Sequence, residues 1–344
     1  MEYLKGSKEE FFDFLNSISK KDKVAVLSHT DLDGIASAVF MEEILKANGI
    51  KVKEILFRSY DDNKTELDKL KESDITKLFI CDISVDSVAP IEFKNLRKEI
   101  NVFWIDHHPL LDTFEYEDKI IKTNSHDCVA LVIYNLGKGF IDYKKWNWLV
   151  CATMISEFSF KSKENLKFLQ KTYSDVTEQN IFDSELGEIS KKIGFASIYF
   201  RDNTNLLFEL LLKQDIAKLD VCSSKVKKEV ENVVEDFKKN AEFYPERNLY
   251  YYSYSPKFRM NSIASTIISL LPNNTNKTII LAADGEDGII SIAARNQDKK
   301  EDMGKLMKLV TKGLKNATGG GHAAAAGARI MKKDLKKFKE NILK

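Results

Sequence analysis

Three short apolar runs, VAVLS (24–28), KLFIC (77–81) and VFWI (102–105), each lead directly into acidic or histidine residues: SHTDLDG, CDIS and DHHP. Strands that are apolar at nearly every position are covered on both faces, as in a parallel sheet with helices above and below. In such open sheets ligands bind beyond the carboxyl ends of the strands. The three polar clusters are therefore expected to converge, although they are far apart in the chain.

The surrounding text supports that architecture. GIASAVFMEEILKANG (34–49) has the pattern of a helix closing near Gly49, VKEILFR (52–58) that of a strand, and KLFICDI (77–83) and NVFWIDH (101–107) those of two more. Strands alternating with amphipathic segments predict an α/β fold with a parallel sheet. From about 142 to 180 the pattern turns helical, and over 184–240 it is almost continuously so. That stretch ends in SSKVKKEVENVVEDFKKNAEF, whose mixed charges suit a solvated or domain-bridging helix. Strand-like text resumes at YPERNLYYYSYS, which sets a boundary near 242.

A chain of 344 residues is longer than one hydrophobic core usually organises. The expected division is 1–183, a parallel-sheet domain with helices on both faces; 184–242, a helical connector; and 243–344, a smaller α/β domain. Within the last, strands are expected at 249–254, 277–282 and 288–293 and helices at 261–271 and 302–314. A glycine-rich loop at 318–321 is expected to open a small-residue helix.

Composition narrows the setting. Lys plus Arg (53) nearly cancels Asp plus Glu (52), so net charge does not mark the whole chain for a polyanionic partner. No apolar run reaches membrane-span length, and MEYLKGSKEEFFDFL lacks the order of a signal peptide, so no membrane and a cytoplasmic location are expected. Cys81, Cys128, Cys151 and Cys222 are scattered, as buried reduced thiols would be.

The five histidines fall at 29, 107, 108, 126 and 322. In SHTDLDG, an extended backbone would turn His29, Asp31 and Asp33 to one side. Carboxylates with a neutral imidazole suit Mn²⁺, with Mg²⁺, Zn²⁺ or Fe²⁺ as rivals. Asp33-Gly34 ahead of a helix also fits ordinary capping. Asp82 ends an apolar strand, where an isolated charge is costly unless coordinated or paired; a helix cap is the alternative. Asp106-His107-His108-Pro109 stands in the same relation to VFWI, as a site or as a turn. Together these residues supply ligands for two cations, an arrangement that suits phosphoryl transfer.

Towards the C-terminus, Gly319-Gly320-Gly321-His322 before an alanine run offers backbone N–H groups to an anion at a helix start. Arg295, at a strand end, suits a phosphate as well as it suits the surface beside QDKKED. His126 is expected in a surface loop, and Tyr250, Tyr251, Tyr252 and Tyr254 chiefly in the core.

On HTDLDG (29–34), Asp82 in ICDIS, DHHP (106–109) and TGGGHAAAAG (318–327), the sequence resembles the DHH phosphoesterase superfamily, in the branch with a C-terminal DHHA1 domain. The resemblance implies a DHH metal-binding catalytic domain followed by a DHHA1 substrate-binding domain. By it, Asp31 ligates one metal, with His29 completing that site; Asp33 and His107 ligate the other; and Asp82 bridges both. Asp106 orients a histidine, and His108 meets the substrate phosphate or helps to protonate the leaving oxygen. Arg295, the glycines 319–321 and His322 bind substrate, closing over phosphate held by the metal domain. Where the family supplies a further Asp to the second metal, the best match here is Glu157, one methylene longer.

The resemblance implies hydrolysis of single-stranded DNA, RNA or short oligonucleotides from an end, as in RecJ-like exonucleases and nanoRNases, with two divalent cations, Mn²⁺ foremost and Mg²⁺ next. Replication or repair proteins would then be the expected partners. A second reading is hydrolysis of pAp or cyclic dinucleotides by the same residues. A third is a Cdc45-like replication scaffold without catalysis.

Overall fold

The computed structural model describes residues 1–59 and 65–344. The chain divides into two units, Met1–Ser223 and Ser224–Lys344.

Unit 1 runs β1 (Tyr3–Lys5), α1 (Lys8–Asn16), β2 (Val24–His29), α2 (Leu32–Ala47), β3 (Val52–Arg58), α3 (Thr65–Glu72), β4 (Lys77–Cys81), α4 (Val85–Val88), α5 (Pro90–Glu99), β5 (Asn101–Asp106), β6 (Ile120–Thr123), α6 (Val129–Leu136), α7 (Tyr143–Ser156), α8 (Lys163–Thr172), α9 (Glu185–Tyr199) and α10 (Thr204–Lys213). The helix α11 (Ile216–Asn240) then continues into unit 2. Among the described residues the sheet order is β1-β6-β5-β4-β2-β3, parallel throughout except for β1 at the edge.

Side-chain alternation sorts the core. Val24, Val26, Phe79, Cys81, Phe103 and Ile105 face a large apolar cluster with α1, α2, α6, α7, α9 and α10. Ala25, Leu27, Leu78, Ile80, Val102 and Trp104 face a second cluster with α3 and α5. Both faces of the sheet are thus covered, which is why the strands are apolar at every position. From β2 the chain steps out to β3 and then crosses back to β4 on the other side of β2. The crevice at such a reversal of strand order is where an open α/β sheet takes a ligand.

Unit 2 contains β7 (Glu242–Tyr244), β8 (Leu249–Tyr254), α12 (Asn261–Ser269), β9 (Thr278–Asp284), β10 (Ile289–Asn296), α13 (Met303–Thr311), β11 (Thr318–Gly321), β12 (Ala325–Met331) and α14 (Leu335–Leu343). The sheet order is β11-β12-β10-β9-β8-β7, with β8 and β9 the parallel pair. Ile280, Ala282, Ile292, Ala294 and Ile330 pack with Met303, Met307 and Phe338 in its core. Tyr251 and Tyr252 are buried as expected, and Tyr250 packs its ring on Phe237 and Phe243.

Two local expectations are corrected. The backbone of HTDLDG is not extended throughout, because α2 begins at Leu32 with Asp31 as its N-cap, its Oδ1 accepting from Gly34 N at 3.0 Å. The glycine run is not a loop opening a helix: Thr318–Gly321 is the strand β11 and Ala325–Met331 is the strand β12, with Ala326, Ala328 and Ile330 buried and Gly327 and Arg329 exposed. Sheet pairing on both β10 and β11 outweighs alanine's helical preference there. Gly319 serves packing, since a Cβ there would lie 2.5 Å from the Met307 carbonyl oxygen of α13.

Candidate metal centre

The site is assembled at the strand ends around the switch point. Ser28 secures its floor, its hydroxyl donating to Gly34 O at 2.7 Å and lying 3.2 Å from Cys81 O. Gly34 must lack a side chain, because a Cβ there would sit 2.3 Å from the His29 carbonyl oxygen. α2 can therefore start hard against the end of β2, which brings Asp31 and Asp33 beside His29.

Asp82 follows β4 with a left-handed backbone (φ 58°), a conformation in which non-glycine residues are uncommon and carry strain. Its amide donates to Ile105 O at 2.9 Å, and its buried carboxylate faces two imidazoles. Asp82 Oδ1 lies 3.4 Å from His107 Nε2, and Oδ2 lies 3.8 Å from His29 Nδ1. His29 Nδ1 is also 2.8 Å from Asp31 Oδ2. Two compact donor groups result, His29–Asp31–Asp82 and Asp82–His107–His108, with Asp82 common to both.

Asp33 lies at the back. Its Oδ2 is 3.9 Å from His107 Nε2, while its two oxygens accept from Val129 N (2.8 Å) and Ala130 N (2.7 Å) at the start of α6. Asp106, fully buried at the end of β5, accepts from His108 Nδ1 at 2.8 Å and from Lys122 Nζ at 2.6 Å. Glu157 caps the end of α7; Asp33 and Asp31 are close enough to raise its carboxyl, it is close enough to raise that of Asp82, and it lies outside both compact groups.

Electrostatics separate these acids. Burial and then the Asp31 charge push Asp33 up to about 8, and burial followed by Asp33 and Asp31 does the same for Glu157, also to about 8. Asp82 is driven well above the carboxylate range by burial and by the surrounding carboxylates, Asp33 first. Burial opposes ionisation of Asp31 too, but the His29 hydrogen bond and charge hold it at about 2. Crowded buried carboxylates of this kind are stable only with protons or cations among them. His107 Nδ1 is buried without a hydrogen-bond partner among the described residues. An oxygen and imidazole donor set fits a divalent cation such as Mn²⁺ or Mg²⁺.

Residues 23–175 match the DHH family, N-terminal domain, and residues 249–344 match the DHHA1 domain. The chain belongs to the DHH superfamily and carries a C-terminal DHHA1 domain. In fold it is similar to exonuclease RecJ bound to manganese, at 16% identity and TM-score 0.71, over 98% of this chain and 94% of that one. It is similar also to RecJ in complex with Mn²⁺ from Thermus thermophilus (16% identity, TM-score 0.66, 98% of this chain), of which it spans 54% of the length. Cdc45 from Entamoeba histolytica is a third such structure, at 13% identity and TM-score 0.58, with 98% of each chain covered. No curated protein matches the sequence.

Within unit 2, Arg295 is the last residue but one of β10, level with Ala325, and the exposed His322 begins the turn that joins β11 to β12. The Arg295 guanidinium donates to Ser262 Oγ (3.1 Å) and Thr266 Oγ1 (3.3 Å) of α12. The carbonyls of His322 and Ala323 accept from Gly304 N (3.2 Å) and Met303 N (3.0 Å), so the turn itself occupies the first amides of α13. His126 is exposed.

Sequence reasoning missed three features of unit 1. Arg58, level with His29 on the neighbouring strand, is buried, and its NH1 atom has no hydrogen-bond partner among the described residues. Lys122 is fully buried behind Asp106. Phe158, next to Glu157, is left-handed (φ 54°) and 50% exposed, its ring 5.7 Å from that of Phe182 and 5.1 Å beneath the Lys161 ammonium. Lone Arg, Lys and Phe residues carry no spacing signal that would have marked them.

Proposed function

We propose that this chain is a metal-dependent phosphodiesterase that hydrolyses single-stranded DNA, RNA or short oligonucleotides from an end. The observation that carries the reading is Asp82, a strained and buried carboxylate common to two donor groups. His29 and Asp31 would hold one divalent cation with Asp82. His107 and Asp33, with Asp82 shared and Glu157 as a further carboxylate, would hold a second; Mn²⁺ is the expected ion and Mg²⁺ the alternative. When bound, such cations supply Lewis acidity towards water and the phosphoryl group.

The chain's own residues prepare the rest. In hydrolysis water adds to phosphorus, the bond to the leaving sugar oxygen breaks, and that oxygen takes up a proton. His108 is assigned to that proton or to the phosphate itself, with Asp106 fixing its ring from behind. Arg58 offers a buried guanidinium beside the His29 strand end, where an anion would relieve the cost of its burial. Phe158 and Phe182 offer exposed ring faces on which a base can stack. Arg295, Gly319, Gly320, Gly321 and His322 are assigned to substrate binding in the DHHA1 domain.

The test is a panel of end-labelled single-stranded DNA, RNA, dinucleotides, cyclic dinucleotides and pAp, with and without Mn²⁺. Oligonucleotide shortening from one end, lost in Asp82→Asn, is the expected result. Turnover of pAp or cyclic dinucleotides alone would replace the substrate class. No turnover of any member would end the enzymatic reading.

A further inference from the structure

The most deeply buried cation near the site is one that the metal chemistry does not use. Lys122 lies in β6 directly opposite Asp106 of β5, and its side chain has no exposure. An ammonium has three N–H donors and no acceptor. Here two hydrogen bonds engage it, to Asp106 Oδ2 at 2.6 Å and to His108 O at 3.0 Å, and Asp86 Oδ2 adds an ion pair at 3.2 Å. The Nζ also sits 4.6 Å over the Trp104 ring, whose indole N–H donates to Ile83 O at 2.9 Å.

This arrangement holds His108 at two points. The main-chain carbonyl of His108 is fixed directly by the ammonium. The ring is fixed indirectly, because Asp106 accepts from Lys122 on Oδ2 and meets His108 Nδ1 with Oδ1 at 2.8 Å. A carboxylate accepting on both oxygens requires the proton of that second bond to be on Nδ1, which leaves Nε2 as the ring nitrogen that gains and loses the second proton. The third contact extends the brace. Asp86 Oδ2 accepts from Tyr116 OH at 2.6 Å, Asp86 Oδ1 from Ser84 Oγ at 2.8 Å, and Tyr116 OH in turn accepts from Leu111 N at 2.8 Å. One cation therefore ties down the segment that follows β5, which has no helix or strand of its own before β6.

We propose that Lys122 is a positioning residue for His108, setting the tautomer and orientation of its ring through Asp106 while clamping its main chain. For the kinetic part, the proposal rests on the phosphodiesterase reading above; for the tautomer it does not. A merely structural lysine would support the fold without fixing which nitrogen of His108 carries the proton.

The experiment uses the full chain with ¹⁵N-labelled histidine. With five histidines the ring signals are few, and His108 is assigned by its absence in His108→Gln. In the metal-free wild type at alkaline pH, the His108 signals are expected to show the Nδ1–H form. Lys122→Met alone leaves two buried carboxylates without their cation, so it is combined with Asp86→Asn, and Asp86→Asn alone is the control. The double variant is expected to show mixed tautomers and a kcat for oligonucleotides at least about 10-fold lower, with KM within about twofold. The control is expected to keep the wild-type tautomer and kcat. A wild-type His108 in the Nε2–H form overturns the proposal without any variant. So does a folded double variant with the wild-type tautomer. Absence of hydrolysis by the wild type would end the phosphodiesterase reading and leave the tautomer result to decide the role of Lys122.

Discussion

The imidazole Nδ1 of His29 lies 2.8 Å from Asp31 Oδ2 and 3.8 Å from Asp82 Oδ2, so one ring nitrogen faces a carboxylate from the start of α2 and another from the end of β4. Those carboxylates have opposite characters. Asp31 is held low by His29 and is ready to ligate, whereas Asp82 sits well above the carboxylate range through burial and crowding. Asp82→Asn separates site from scaffold, because asparagine keeps the shape and tolerates a left-handed backbone. Saturating Mn²⁺ is expected to raise the melting temperature of the wild type by roughly 5 °C or more. The variant is expected to lose that shift without losing metal-free stability, and a retained shift would remove Asp82 from the metal centre.

The same crowding fixes the sign of the pH dependence. Asp33 and Glu157 have folded-state values of about 8, against ordinary values of 3.8 and 4.5. Between those limits the folded metal-free protein binds more protons than the unfolded chain, so stability falls as pH rises through that window and levels off above about 8. Mn²⁺ reverses the trend because it binds the deprotonated acids. Calorimetry at neutral pH in buffers of different ionisation enthalpy should therefore detect proton release on Mn²⁺ binding, with affinity rising towards pH 8. Binding without proton release would show that these acids are already ionised.

Gly34→Ala tests the backbone geometry that brings the acids together. The added methyl would meet the His29 carbonyl oxygen at 2.3 Å, a main-chain atom that cannot swing aside. A loss of about 1–3 kcal/mol in stability is expected, with weaker Mn²⁺ binding because α2 must back away from β2. Denaturant unfolding and metal titration measure the two effects. Gly49→Ala is the control, since open space surrounds that position, although its positive φ (70°) adds some backbone strain of its own.

Much of this site was legible because its residues stand at the ends of apolar strands. HTDLDG, CDIS and DHHP are visible as polar endings on strands that have no other reason to carry charge. The mode of convergence was less visible. Alternation along an extended strand would have aligned Asp31 with Asp33, but Asp31 is a helix cap and Asp33 belongs to the first turn, bonded to α6. The alanines after GGGH favour a helix locally, and only their pairing with β10 and β11 makes them a strand. Lys122 left no trace at all, because a single lysine in IIKT looks like an exposed residue until its partners arrive from α4, the end of β5 and the loop that follows it.

Phe158→Ala tests whether the substrate is held by its bases as well as by its phosphodiester. Its neighbour Glu157 is within electrostatic reach of Asp33 and Asp31, and the next residue, Ser159, accepts from Cys128 N at 3.3 Å, one residue before the amide that binds Asp33. The ring is therefore carried on a segment anchored to the acidic centre on both sides, while half of its surface is exposed. Stacking on an aromatic ring contributes about 1–3 kcal/mol per base, so Phe158→Ala is expected to raise KM for an oligonucleotide by about 5- to 150-fold. The same variant should leave an abasic oligonucleotide of equal length nearly unaffected, and Phe158→Trp should restore most of the affinity. Phe160, buried beneath the pair, makes a packing control, since its loss should lower the melting temperature rather than change the ratio of the two substrates. An equal effect of Phe158→Ala on both substrates would place the ring in the packing of the segment and leave the bases to be held elsewhere.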